Sequence, residues 1–110
     1  MWARVARYEV EPERIDDAVQ GFESIAAELG KIEGSKGAYL LVDREDGKTM
    51  TITFWEDRQA LSTSEVAAAR MRREAMAPAD GSVQAVEVYE VSVEFGERAS
   101  LAGEAAGSAN

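Results

Sequence analysis

An Asp-Gly pair at residues 46 and 47 lies between two runs rich in strand-forming residues, 38–43 and 49–55. Such a pair between two β-rich runs is a strong signal for a β-hairpin. A hairpin alone is at best marginally stable in water, so the segments around it must supply further strands or covering helices. The fold of this chain therefore depends on what flanks the hairpin.

The segment before the hairpin predicts a strand followed by a helix. Residues 2–10 alternate as a strand does, and one face of that strand carries Trp2, Arg4, Ala6, Tyr8 and Val10. Pro12 suits the first turn of a helix, and apolar residues then recur at spacings of three and four up to Leu29. Gly30 favours a helix end. We therefore expect a helix over residues 12–29.

The segment after the hairpin predicts a second helix and a last strand. Asp57 can cap a helix entered directly from the strand. The residues 62–65 (STSE) resemble a second capping box, which indicates that this helix breaks and restarts before it ends ahead of Pro78. Residues 83–95 contain five valines and predict one long strand.

The resulting order, β-α-β-β-α-β, predicts an α+β fold of the ferredoxin-like type, with an antiparallel sheet and both helices on one face. A length of 110 residues corresponds to one domain, which we assign to residues 1–95. From Gly96 onward the chain is mostly Ala, Gly, Ser and Glu, so residues 96–110 are predicted to be a low-complexity C-terminal tail.

The register of the hairpin decides which side chains the helices cover. A two-residue loop places Glu45 opposite Lys48 and Ala38 opposite Trp55, whereas a three-residue loop exchanges the two faces. The bare face then carries either the set Leu40, Val42 and Trp55 or the set Tyr39, Leu41, Ile52 and Phe54. Both sets are too apolar to stay in water, so we expect a homodimer formed by the bare sheet faces, with the long last strand available for further pairing.

Composition excludes several classes of function. The net charge of −9 argues against a nucleic-acid-binding module, because such modules pair with phosphates. The chain has no His and no Cys, which excludes thiol nucleophiles, Ser-His-Asp triads and the usual zinc sites, so we expect no metal site. Neither a targeting segment nor an apolar run of membrane-spanning length is visible, so we expect a cytoplasmic protein without membrane contact.

Three stretches carry a family resemblance. Residues 32–39 (IEGSKGAY) resemble a loop into a second strand, residues 54–61 (FWEDRQAL) a strand-to-helix passage with its tryptophan, and residues 87–91 (EVYEV) a last strand. Together with the element order, they make residues 2–95 similar to the antibiotic biosynthesis monooxygenase-like family of the dimeric α+β barrel group. Glu33 and Ser35 stand where that family usually has a proline and an aromatic residue.

The resemblance implies two classes of function. The family includes cofactor-independent monooxygenases of polycyclic phenols, in which the substrate's own anion reduces oxygen, so an oxidoreductase without cofactor is the first hypothesis. The alternative is a non-catalytic dimeric module that binds a small molecule or is purely structural. Haem-degrading members use an Asn, a Trp and a His, of which only Trp55 has a counterpart here, so we expect neither haem degradation nor specific haem binding.

No residue carries a catalytic signature, and each ligand-binding candidate has a structural alternative as well. Trp55 can form a pocket wall for a flat aromatic ligand or seal the core with its N–H bonded locally. Thr51 and Thr53 share its face, and Tyr39 can donate a proton. Among Arg70, Arg72 and Arg73, we select Arg73 as the cation that fixes an anion; a solvated helix face is the alternative.

Overall fold

The computed structural model describes residues 1–96 and confirms the predicted order of elements. These residues form four strands, three α-helices and two 3-10 turns. In chain order they are β1 (Trp2–Glu9), a turn (Pro12–Arg14), α1 (Ile15–Gly30), β2 (Ser35–Asp43), β3 (Lys48–Trp55), α2 (Arg58–Thr63), α3 (Glu65–Met76), a turn (Ala77–Ala79) and β4 (Ser82–Glu90). The predicted tail lies, from residue 97 on, outside the described residues. Within residues 1–96, no helix combines the length and the apolar character that a membrane crossing needs.

The strands form one antiparallel sheet in the order β2-β3-β1-β4, so the first and third strands occupy its centre. β1 pairs with β3 without interruption, from Trp2 opposite Trp55 to Glu9 opposite Lys48. Its pairing with β4 on the other side shifts by one residue between Arg7 and Tyr8, where β4 has an extra residue. This is the ferredoxin-like α+β arrangement that the sequence predicts.

The predicted hairpin exists, but its register is two residues away from the expected one. Asp43 lies opposite Lys48, so residues 44–47 form a four-residue loop. The Asp43 carboxylate accepts hydrogen bonds from the backbone N–H groups of Glu45 and Asp46, and its backbone carbonyl accepts one from Gly47. The expected pair of Glu45 with Lys48 is therefore wrong, as is the pair of Ala38 with Trp55. A shift by two residues keeps every side chain on its face.

The helices cover the face of the sheet that carries Arg4, Ala6, Tyr8 and the threonines of β3. Tyr8, Val10, Ile15 and Met76 belong to the main apolar core between this face and the helices. The opposite side, which we call the open face, carries Val5, Tyr39, Leu41, Met50, Ile52, Phe54 and Tyr89. Leu41 and Tyr89 on it are 47% and 50% exposed. The bare face is thus the second of the two expected sets.

The helices differ in detail from the prediction. The first segment starts as a 3-10 turn at Pro12 and becomes α-helical only at Ile15. The second helix breaks at Ser64, as expected, and Asp57 caps α2 by accepting a hydrogen bond from the N–H of Ala60. No capping box forms over residues 62–65, because Ser62 lies within α2 and Glu65 reaches the arginines described below.

The last strand ends at Glu90 rather than at residue 95. Its pairing partner β1 begins at Trp2, and the final backbone hydrogen bond joins the Val91 N–H to the Met1 carbonyl at 2.9 Å. Beyond that point the chain has no strand of its own sheet beside it. Val93 and Phe95 are 78% and 84% exposed there.

Candidate functional site

A cavity of about 360 Å³ lies between the helices and the covered face of the sheet. Its walls are mainly apolar side chains of α1, α3 and β2, among them Phe22, Ile25, Leu29, Leu40 and Met71. Polar atoms come from Arg4 and Tyr8 on β1, from Thr51 and Thr53 on β3, and from Arg72 on α3. This volume falls within the range of roughly 300–1,000 Å³ that is usual for small-molecule sites.

The exposed members of the lining show where the cavity meets solvent. Glu23 and Ala26 of α1 and Ala38 of β2 are exposed, so the mouth lies between that helix and that strand. Arg4, Tyr8, Thr51 and Arg72 are buried and form the inner end. A ligand that enters therefore meets an apolar passage first and the polar groups last.

Arg4 is the most unusual residue at the inner end, because its side chain is only 3% exposed. Its Nη2 donates to the Leu61 carbonyl at 2.7 Å and to Ser64 Oγ at 3.1 Å, and lies 3.1 Å from Glu65 Oε1. Its Nε and Nη1 are also buried but have no hydrogen-bond partner. Burial lowers the pKa of Arg4, whereas the charge of Glu65 raises it. A guanidinium keeps its charge in proteins, so these two nitrogens are unsatisfied donors.

Arg72 brings a second buried guanidinium to the same place. Its residue is 8% exposed, and its Nη2 is buried without a hydrogen-bond partner. Glu65 lies between the two arginines, with Oε2 at 3.8 Å from Arg72 Nη2, which is an ion pair but too long for a hydrogen bond. Two positive charges and one negative charge therefore meet at the inner end of the cavity.

Tyr8 adds a phenol beside the arginines. Its hydroxyl lies 3.2 Å from Thr51 Oγ1, and its ring packs against Phe22 with centroids 5.6 Å apart. Burial raises the pKa of Tyr8, while the hydrogen bond with Thr51 and the charges of Arg72 and Arg4 act in the opposite direction. Since the net shift is upward, the phenol is protonated at neutral pH and is able to donate a hydrogen bond into the cavity.

Trp55 does not line the cavity, contrary to the expectation that it forms a pocket wall. It is fully buried, and its Nε1 donates to Thr53 Oγ1 at 2.9 Å, as the core interpretation of this residue predicts. The residue opposite it is Ser35 rather than Ala38, because the hairpin register differs by two residues and the pairing shifts by one more between Ser35 and Gly37. Arg4 stacks over its ring at 5.5 Å, so Trp55 supports the site from behind.

The other candidates divide between the cavity and the surface. Thr51 and Thr53 border the cavity, as does Tyr39, whose ring packs edge-on against Phe54 on the open face. Arg73 is exposed and lies outside the cavity lining, as the alternative of a solvated helix face predicts. The roles of the two threonines and Tyr39 as ligand contacts stay predictions.

Arg72 takes the inward position instead, and a sequence signal for it exists. Ala68, Met71, Arg72 and Ala75 fall on one stripe at spacings of three and four, and all are buried. Arg70 lies off this stripe and pairs with Glu28 and Glu74 at the surface, which raises its pKa. Arg4 likewise shares the covered face of β1 with Ala6 and Tyr8.

No group of His, Cys, Asp and Glu side chains within the described part of the chain is arranged to hold a metal ion. The inner end of the cavity presents nitrogen donors instead of ligand oxygens. Such an arrangement attracts an anion rather than a cation.

Comparison with known proteins agrees with this architecture. Residues 1–71 match the sequence model of the antibiotic biosynthesis monooxygenase family. The chain belongs to this family. No curated protein matches it in sequence.

Solved structures of low sequence identity share the fold of this family member. A Deinococcus radiodurans protein described as an antibiotic biosynthesis monooxygenase superimposes with a TM-score of 0.68 at 14% identity, covering 87% of this chain and 97% of its own. The heme-degrader MhuD from Mycobacterium tuberculosis, solved with two hemes in its active site, gives 0.68 at 17% identity, with 87% and 100% covered. SnoaB, a cofactor-independent oxygenase from Streptomyces nogalater, gives 0.67 at 19% identity, with 87% and 97% covered.

Proposed function

We propose that this member of the family is a homodimeric, cofactor-independent monooxygenase that binds a small, flat aromatic substrate in the cavity between helices and sheet. The observation that carries the proposal is the pair of buried arginines, Arg4 and Arg72, which line the inner end of an apolar cavity. The walls fit an aromatic body, and the inner end fits a polar group attached to it.

Energetics support a ligand at this place. A buried donor without a partner costs roughly 1–3 kcal/mol, and more when it is charged. Three such nitrogens on two guanidinium groups therefore lower the stability of the folded protein considerably. A ligand can satisfy them only after the two guanidinium groups turn toward the cavity, because none of the three nitrogens is accessible to water in this structure.

The residues at the inner end suit chemistry that starts from a substrate anion. Two fixed guanidinium groups in a cavity shielded from water favour the ionised form of a phenol, because they stabilise negative charge on its oxygen. Tyr8 offers a neutral hydroxyl beside them, held by Thr51. Family members described as cofactor-independent oxygenases, such as SnoaB, support oxidation without a metal or an organic cofactor.

The alternative function is a dimeric binding module without catalysis. A cavity that touches both Trp55 and a buried polar side chain would favour an enzyme, and a filled core would favour the module. The cavity contains the buried polar groups, which supports a ligand, but Trp55 lies behind them. Binding without oxidation of any bound phenol would therefore favour the module.

The test combines binding with oxygen consumption. Purified protein is mixed with a series of hydroxynaphthalenes, and binding is measured by calorimetry while oxygen uptake and oxygenated product are followed by electrode and mass spectrometry. We expect at least one phenol to bind and to be oxygenated, and Arg72→Met to abolish both. The matched control is Arg73→Met, which removes the same charge from the exposed side of the same helix. Failure of every phenol to bind would overturn the proposal.

The homodimer is supported by the open face and by the length of chain beyond β4. Leu41 and Tyr89 are about half exposed on a sheet face that also carries Ile52 and Phe54. Pairing of two such faces would bury side chains that are costly in water. The cytoplasmic location and the absence of haem binding stay predictions from the sequence.

A further inference from the structure

The charges around the cavity define what kind of ligand its inner end accepts. Arg4 and Arg72 each place a buried guanidinium there, and Glu65 contacts both through its two carboxylate oxygens, at 3.1 Å and 3.8 Å. Glu65 therefore neutralises one of the two positive charges. One positive charge remains at the inner end, since Glu23, the other charged residue of the lining, is exposed at the mouth.

We infer that the inner end of the cavity is a binding site for a ligand that carries one negative charge, and that Glu65 sets this limit as a charge-selecting residue. This inference rests on the proposed function, since it concerns the same cavity. The ligand is an aromatic monoanion, such as a carboxylate, a sulfate ester or a phenolate, that enters with its charged group first.

Each ionisation state of a ligand leaves a different net charge at the inner end of the cavity. A monoanion brings the charge at the inner end to zero. A neutral ligand leaves the excess charge without compensation, which is costly away from water. A dianion places a second negative charge beside Glu65, where like-charge repulsion opposes binding.

The position of Glu65 explains how it acts without filling the site. It begins α3, directly after the break at Ser64, and its side chain is 52% exposed while both arginines are buried. It approaches the guanidinium groups from the solvent side, and its Arg4 contact uses Nη2, the nitrogen already bonded to Leu61 and Ser64. Glu65 thus leaves Arg4 Nε and Nη1 without a hydrogen-bond partner.

The test uses three probes with one aromatic body. 2-Naphthyl sulfate carries one negative charge, 2-naphthyl phosphate carries two at pH 8 because its second pKa lies near ~6, and 2-methoxynaphthalene carries none. Calorimetry gives the Kd of each. We expect the wild-type protein to bind the sulfate roughly tenfold to a hundredfold more tightly than the neutral probe, and more tightly than the phosphate.

Glu65→Gln then tests the selecting residue. We expect it to shift the ratio of the phosphate and sulfate Kd values by about tenfold or more in favour of the phosphate, because the site then carries two uncompensated positive charges. Glu74→Gln is the matched control. Glu74 lies on the same helix, is 51% exposed and also pairs with an arginine, but this pair lies outside the cavity. It should leave the ratio unchanged.

The failures are distinguishable. If none of the three probes binds, both this inference and the proposed function are wrong. If the neutral probe binds as tightly as the sulfate, the aromatic cavity stands and the charge inference is overturned. If Glu65→Gln leaves the ratio of the phosphate and sulfate Kd values unchanged, Glu65 does not select the charge of the ligand. Should that variant not fold, a wild-type protein that prefers the phosphate to the sulfate overturns the inference by itself.

Discussion

Two arginines stack on tryptophans in the described part of this protein, and their surroundings differ. Arg4 lies 5.5 Å from the centre of the Trp55 ring in the buried interior, whereas Arg58 lies 4.8 Å from the centre of the Trp2 ring near the surface. Such contacts contribute roughly 0.5–1 kcal/mol when exposed and about 2 kcal/mol when shielded from water. The Trp55 ring is therefore part of what holds the Arg4 guanidinium in place.

Replacing Trp55 by Phe tests this role. The change removes the N–H that donates to Thr53, weakens the stacking on Arg4 and leaves a small void. We expect the free energy of unfolding to fall by about 1–3 kcal/mol, measured by urea denaturation. Trp2→Phe is the control and should cost less, because Trp2 is only partly buried. Equal effects of the two changes would contradict the assignment of Trp55 to the core.

Tyr8 gives the protein a predicted dependence of stability on alkaline pH. Burial raises the pKa of Tyr8 above its ordinary value of about 10, so the folded state holds this proton more tightly than the unfolded state. Stability from this source is complete below pH ~10 and is lost as pH rises through the pKa of the folded state.

Tyr8→Phe removes this dependence together with the hydrogen bond to Thr51. We expect the variant to be about 1 kcal/mol less stable at pH 7, and the difference from wild type to shrink above pH ~10. Urea denaturation at several pH values measures both effects, with Tyr89→Phe on the open face as the control. Parallel curves for wild type and variant would show that Tyr8 ionises equally in both states.

Individual functional residues were only partly predictable from the sequence. The alternation of β1 already places Arg4 with Ala6 and Tyr8 on one face, and the apolar stripe of α3 already includes Arg72. Both signals are local. Which arginine keeps unsatisfied donors depends on contacts with Leu61 and Glu65, which are distant in sequence from Arg4, and no local pattern reports such contacts.

At the level of elements, the spacing of α1 and α3 fixes the width of the cavity. Gly21 of α1 faces the backbone of α3 so closely that a Cβ atom there would lie 1.9 Å from the Ala75 carbonyl oxygen. Both helices line the cavity, with Phe22 from α1 and Met71 from α3. Any side chain at position 21 must therefore push the helices apart.

Gly21→Ala should destabilise the protein although alanine is the better helix former. We expect a loss of about 1–3 kcal/mol, because a packed backbone has to move. Gly30→Ala provides the control in the same helix: a Cβ atom placed there meets no packing neighbour within 4 Å, so the change should be neutral or stabilise by up to about 1 kcal/mol. Thermal unfolding of both variants measures the contrast, and a neutral Gly21→Ala would refute the close approach.

The elements themselves were well predicted, since alternation and helical spacing are properties of short segments. The errors arose where an element ends or pairs. The Asp43 side chain stabilises a four-residue loop, which the Asp-Gly signal alone does not reveal, so the register differed by two residues. β4 ends at Glu90 because β1 begins at Trp2, a limit set by another part of the chain rather than by the valines.

For the whole molecule, the open face predicts self-association. We expect light scattering at micromolar concentration to give twice the chain mass of 11.9 kDa, through an interface that buries well over ~1,000 Å² in total. Leu41→Lys places a charge on the open face and should yield monomers. Val66→Lys, at a position that is 83% exposed on α3, should leave the dimer intact. A wild-type protein that light scattering shows to be a monomer would contradict the prediction.

Anion binding beside the buried Arg4 and Arg72, as proposed, ties the melting temperature to the anions in solution. Any compound that occupies the site in the folded state alone adds stability by mass action, about 2.7 kcal/mol at a concentration of one hundred times its Kd. In a domain of this size, 1 kcal/mol raises the melting temperature by about 4–8 °C. Melting curves recorded against a collection of aromatic acids would thus rank candidate natural ligands without any knowledge of the reaction.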